Sequence, residues 1–328
     1  MQWGTKYNAI AAVILLVGGG ISFHANEQKG TSKVMVLETS HAAELRSHEH
    51  FAADTALDVG HHQYLHSELI TAEHDLWISD ISFKIENAPT VVVHHAALLK
   101  INSPHQTCKN INMEQLVGFA RDNMHIPGIS FPRGTAMRIK KGEQFYFILM
   151  VHNPTPPLGP GGTYHDVFGR MTLTLVPDEE TPGLKPIEFL MMHLDEVPCD
   201  VKYSDGTESF MFTVPPHILN YSFSASSAAD DPARHVFKKP VTVVYMGGHL
   251  HGWEGGKELL VNKNGQLFKT FTTAKSWVNP FQYFSEYHPV SINFEAGDLL
   301  TLTALYSNPD NQPMREAMGI LDMYYYER

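Results

Sequence analysis

The amino-acid sequence predicts an all-β protein of two antiparallel β-sandwich, jelly-roll-like units. From Trp77 onward, short runs alternate apolar and polar residues, the period of a half-buried strand. Gly and Pro interrupt these runs at short intervals, as turns between strands require. The chain has 328 residues, more than the ~250 to 300 at which a single hydrophobic core stops growing. Two packed domains follow.

The first segment, 1–25, holds one Lys, Lys6, ahead of an uncharged apolar stretch from Ala9 to Phe23. That is the pattern of an export signal, and the stretch is shorter than the ~20 residues a spanning helix needs. A cleaved signal peptide is expected, with a short N-terminal membrane anchor as the alternative. The destination is the outside of the cell, a periplasm or a lumen. In such a place Cys108 and Cys199, the two cysteines of the chain, are free to pair, the alternative being two buried thiols. Residues 26–75 read as a polar, loosely packed leader containing His41, His48, His50, His61, His62, His66 and His74.

Residues 76–187 form the expected first domain. Its strands include Ile81, Phe83 and Ile85, then QFYFILMV from Gln144, then Met171, Leu173 and Leu175, with a turn of helix near Met113 to Phe119. Pro177, Pro182, Gly183 and Pro186 break the pattern before IEFLMMHLDEV opens the second domain, 188–328. There, FMFTV, VTVVYM, ELLVNK and QLFKTF read as strands, the last two joined by the tight-hairpin dipeptide Asn264-Gly265. SINFEAGDLLTLTAL supplies two more around Gly297, and the terminal MYYY run reads as the last strand. Hydrophobic residues at 43% and charged residues at 18% describe an ordinary globular protein. A net charge of −11 excludes nucleic acid as a partner class.

With 20 histidines, random placement yields roughly one adjacent pair and one His-x-His, so spacing alone decides little. Position is more informative. His249 and His251 follow a strand and an open Gly247-Gly248 pair, so a continuing strand sets both imidazoles on one face; the bland alternative is two surface histidines. His94 and His95 end the run VVVHH, where neighbours on a regular strand face opposite ways. They share an ion only at a bulge or strand end. His152 closes FYFILMV ahead of Pro154, a place where a lone histidine is usually structural. Met318, with Met314 as competitor, stands before the last strand, where methionine usually packs a core. A thioether beside imidazoles nevertheless makes a ligand set suited to Cu(I).

In this order, VVVHHAALL, LMVHNP, GGHLHGW, YHPVSINFEAGDLLTLTAL and MGILDMYYY resemble the type II copper, ascorbate-dependent monooxygenases, the family of the peptidylglycine and dopamine hydroxylases. The resemblance spans about His61 to Tyr326. It implies two antiparallel β domains facing across a solvent-filled cleft, with two copper ions per chain. By the same resemblance, His94, His95 and His152 hold the electron-supplying copper. His249, His251 and Met318 hold the oxygen-binding copper and carry the catalysis. Met318 fits better than Met314 because it keeps the family's interval to the tyrosine pair, Tyr325 and Tyr326. The implied reaction is hydroxylation of a substrate C–H bond with O2 and a one-electron donor such as ascorbate. The rival reading is a non-catalytic, exported copper-binding or copper-delivery protein on the same scaffold; a zinc protein is a weaker third.

Departures from the family bear on the substrate. Where peptidylglycine hydroxylases carry an Arg two residues before His-x-His, this chain has Gly247, and it has Ile320 and Asp322 where they carry Asn and Tyr. A C-terminal peptide substrate is therefore not expected. Asp322 is left with two readings, contact with a cationic or hydroxylated substrate, or solvation. His105, His125, His165, His193, His217, His235 and His288 read as structural or exposed, with His288 supporting the second site.

Overall fold

A computed structural model describes residues 33–46, 63–101, 113–120, 128–151, 153, 162–194, 212–250, 255–272 and 288–328. Among these, regular structure is strand apart from two short 3-10 turns, Thr90–Val92 and Asp178–Glu180. The first half contributes β1 (Lys33–Glu38), β2 (Ala42–Arg46), β3 (Gln63–His66), β4 (Ile70–Thr71), β5 (Leu76–Glu86), β6 (Val93–Ile101), β7 (Met113–Ala120), β8 (Gly128–Ser130), β9 (Thr135–Ile139), β10 (Gln144–Val151) and β11 (Thr163–Leu175). The second contributes β12 (Lys185–His193), β13 (Phe212–Val214), β14 (Ile218–Ser224), β15 (Arg234–Val236), β16 (Val241–Leu250), β17 (Gly256–Lys263), β18 (Gln266–Thr272), β19 (His288–Phe294), β20 (Leu299–Asn308), β21 (Met314–Ala317) and β22 (Gly319–Glu327).

Period-2 alternation builds the first sandwich. In β10, Phe145, Phe147, Leu149 and Val151 are all fully buried while the residues between them are not. These side chains meet Ile81 and Ile85 of β5 and Met171 and Leu173 of β11 in one core, enclosed by the β3-β10-β6-β7 sheet and the β1-β11-β5-β9 strands. A second core holds Met192, Val243, Leu259, Leu302, Leu321 and Met323, between β12-β22-β16-β19 and β14-β20-β17-β18. The all-β, antiparallel class is thus the observed one. Strand β12 passes from one core to the other, with Ile187 in the first and Met192 in the second.

Two expectations need correction. Much of the expected leader is integral structure: β1 and β2 pair with β11, β3 and β4 pair with β10, and Leu37, Leu45 and Leu65 lie in the first core. The expected helical turn near Met113 is strand β7. Its register against β6 shifts between Leu98 and Leu99, opposite Leu116, so the adjacent Leu116 and Val117 are both buried. A bulge thereby imitates helical spacing. The two units are, moreover, joined through backbone at the described residues. They share a ten-stranded sheet through a parallel ladder, Thr135 to Met137 of β9 against Lys185 to Ile187 of β12. No helix among the described residues is long and apolar enough to cross a membrane. Segment 1–25, Cys108 and Cys199 lie outside the described residues.

Candidate functional site

Strand β22 lies between β12 and β16, and directly paired residues of antiparallel strands project to the same face. Three rows follow on one face: Phe189, Tyr324 and Tyr245; then Met191, Asp322 and Gly247; then His193, Ile320 and His249. The opposite face carries Leu190, Met192, Leu321, Met323 and Met246 into the second core. The three-row face therefore turns toward the first sandwich, forming a seam between the two.

Contacts run the length of this seam. At one end Tyr324 belongs to the first core, with ring centres 5.0 Å from Phe189 and 5.8 Å from Phe131, and the Tyr245 hydroxyl donates to the Ser130 carbonyl at 2.9 Å. In the middle, a β-carbon added to Gly118 of β7 would lie 3.9 Å from the Asp322 carboxylate. At the far end the ring of His249 meets the ring of His95 edge-on, centres 5.6 Å apart. Gly118 and His95 occupy the same outer face of the β6-β7 ladder, since Ala97 pairs with Gly118 and His95 with Ala120.

His94 and His95 meet the geometric condition their sequence adjacency imposed. The β6-β10 register runs Met150 to His95 and then Val151 to Val93, so His94 is the extra residue of a bulge. The two rings, which a regular strand would send to opposite faces, lie with centres 4.3 Å apart and planes tilted 30°. Both ring nitrogens of His94 are buried, as is Nε2 of His249.

Met318 falls between β21 and β22, two residues before Ile320, so an extended chain puts it on the face that carries His249. It is 5% exposed and belongs to neither core. Met314, the competing candidate, packs in the second core, where its partner across the ladder is Val214. Gly248 is required by close approach, since an added β-carbon would fall 2.7 Å from the Phe271 ring. That contact seats β16 deeply enough for His249 to reach the seam. The tyrosine pair splits between faces: Tyr325 donates to Glu188 at 2.9 Å, and burial first, then Glu188, holds its phenol well above the ordinary value. Tyr326 packs toward the first core beneath Lys185.

The structure thus brings His94 beside His95 and His95 beside His249, and strand alternation continued one residue back from β22 would put Met318 on the face of His249. His152 and His251 lie outside the described residues. Among the described residues no three His, Cys, Asp or Glu side chains by themselves complete a metal site. Each expected ligand set has two members described and one not. Imidazoles with a thioether at hand are the donor set that suits copper.

His193 was not legible as a site residue. It is fully buried at the end of β12, in the same row as His249 with Ile320 between them. Only the three-strand register reveals this, because His193 and His249 are remote in sequence and share no motif. Asn153, beside His152 in sequence, is also fully buried, and its amide donates to the carbonyls of Leu45 and Gly162 at 3.3 and 3.2 Å.

No protein-family model matches this chain. No curated protein matches it either. Solved structures that align with it include the major capsid protein P2 from bacteriophage PM2, 8% identical over 90% of this chain and 98% of that one, with a TM-score of 0.36. The N-glycanase PNGase F aligns at 9% identity over 90% and 95%, with a TM-score of 0.38. The glycosylasparaginase PNGase F from Flavobacterium meningosepticum aligns at 9% identity over 89% and 96%, with a TM-score of 0.36. Similarity this low carries no statement about chemistry.

Proposed function

We propose that this chain is an exported copper-dependent monooxygenase that hydroxylates a substrate C–H bond with O2 and a one-electron donor such as ascorbate. The observation that supports this most strongly is the convergence at the seam: a bulge turns His94 and His95 together, and His249 of the other sandwich meets His95. A bulge re-aims a side chain, and bulges are over-represented beside active sites. A regular strand would have separated the two rings at no cost.

In this reading His94 and His95, with His152, hold one copper, and His249 and Met318, with His251, hold the other. Copper held by such donors supplies one-electron redox change and reaction with O2. The protein's own part is positional. The bulge fixes the first pair of rings, the Gly248–Phe271 contact fixes the depth of His249, and a soft thioether at Met318 favours the reduced ion. Burial of the His94 and His249 nitrogens keeps bulk water from competing for the same positions. Asp322 and Met191 stand one row away from His249 on the same face.

The test is metal analysis and electron paramagnetic resonance of the oxidised protein, comparing wild type with His95→Ala, His152→Ala and His251→Ala, followed by O2 uptake with ascorbate. The expected result is two copper ions per chain, one set of signals lost in His152→Ala, the other in His251→Ala, both weakened in His95→Ala, whose ring also meets His249, and O2 uptake coupled to product only with a C–H substrate present. Copper binding with no coupled uptake across a broad substrate panel would identify a carrier. Zinc in place of copper, unaffected by Met318→Ile, would overturn the copper reading.

A further inference from the structure

We infer that Tyr306 is a positioning residue for Met318, a brace that holds the thioether where the second ligand set needs it; this rests on the reading of Met318 as a copper ligand. Met318 occupies a single-residue break between β21 and β22, where no ladder pairs its backbone. Its neighbours are paired, Ala317 with Phe212 and Gly319 with Leu250, so the break isolates one peptide. A buried peptide left in that state costs the full desolvation of its N–H and C=O. One side chain satisfies both groups. The Tyr306 hydroxyl donates to the Met318 carbonyl at 2.6 Å and accepts from the Met318 N–H at 3.0 Å.

The origin of that hydroxyl makes it a rigid brace. Tyr306 stands on β20, in the sheet across the second core, with its backbone paired to Tyr221 on one side and Gly256 on the other. It is fully buried, and its ring stands perpendicular to Phe212 at 5.4 Å between centres. Phe212 in turn pairs with Ala317, the residue before Met318. The ring therefore crosses the core to reach a point on the far sheet, with its direction fixed by packing and its reach fixed by the phenol length. A core needing only apolar volume at this position would take Phe at no desolvation cost. Two bonds to one backbone residue set where Met318 leaves the sheet, and hence where its side chain points. Groups that orient a metal ligand typically govern affinity by about 10- to 100-fold.

The experiment loads the full chain with Cu(I) and reads sulfur scattering at copper by X-ray absorption in wild type, Met318→Leu and Tyr306→Phe, alongside competition titration of Cu(I). The expected result is a sulfur shell in wild type, lost in Met318→Leu and lost or weakened in Tyr306→Phe, with the nitrogen shell kept. Cu(I) affinity at that site should fall about 10-fold or more in Tyr306→Phe. A full sulfur shell at wild-type affinity in Tyr306→Phe overturns the brace while leaving the copper reading intact. Absence of any sulfur shell in wild type overturns both. Should Tyr306→Phe fail to fold, hydrogen exchange in the unaltered protein decides: the Met318 amide should exchange as slowly as those of β22, and exchange at loop rates overturns the brace.

Discussion

At the residue scale, adjacent histidines are the informative case. His94 and His95 differ in sequence only by one position, and an unbroken ladder would have made them partners of opposite faces. The register shift at Val151 cancels that alternation. Replacing His95 with Ala should remove more than one third of a ligand set, because its ring is also the contact with His249. Both sets should lose copper affinity in His95→Ala, whereas His152→Ala should affect one; isothermal titration with Cu(II) distinguishes these outcomes. Gly248 makes a second residue-scale prediction. An added methyl meets Phe271 at 2.7 to 2.9 Å, so Gly248→Ala should destabilise by roughly 1 to 3 kcal/mol through overpacking, measured by denaturant unfolding. The same substitution should disturb His249 one residue away. In the sequence His249 and Met318 stood out through their motifs, but the Tyr306 brace and His193 did not. A hydroxyl bonded to a backbone, or a ring reached by counting across three strands, leaves no periodic or compositional trace.

At the element scale, hairpins were the most legible parts of the chain. Asn264-Gly265 joins β17 and β18, with Lys263 paired to Gln266, and both turn residues have positive φ, 53° and 80°. Asn264 is held further, donating through its amide to Asp298 at 2.8 Å and accepting from the Leu299 N–H at 2.9 Å. Gly265→Ala meets no atom within 4 Å, so its cost is backbone conformation alone, about 1 kcal/mol. Asn264→Ala should cost more, since it adds the loss of two bonds to the β19–β20 turn. Thermal unfolding of the two variants tests that order. Period-2 patterns located β5, β10, β11 and β20 because each has one face in a core and one outside it. The same rule failed at β7, where a bulge buried Leu116 and Val117 in succession, and at β1 to β3, short stretches that gain their order from the strands they join.

At the scale of the whole molecule, the N-terminal strands are fastened by a charged corner. His41, between β1 and β2, stacks on Phe168 at 4.0 Å, and its Nδ1 lies 2.6 Å from Asp166, with Glu38 at 3.5 Å from Nε2. Arg170 bonds Glu38 and Glu86 nearby, so the charges facing His41 are the two carboxylates and one guanidinium. The hydrogen bond to Asp166 first, and Glu38 after it, raise the His41 pKa. A raised folded pKa means the protonated corner contributes stability fully below the unfolded value of about 6.5, and loses it as pH rises through the raised one. His41→Gln should flatten that alkaline decline, read from urea midpoints at pH 5.5 and 8.5. The shared sheet has the larger consequence. Because β9 and β12 pair in parallel across the boundary, Thr135 to Met137 and Lys185 to Ile187 tie the halves by backbone bonds. Rotating one half away from the other would rupture that ladder and strip Tyr324 from a core it shares with the opposite half. The molecule has no hinge there, and its halves cannot swing open like jaws. If the proposed site takes a substrate, it has to admit it without parting that ladder.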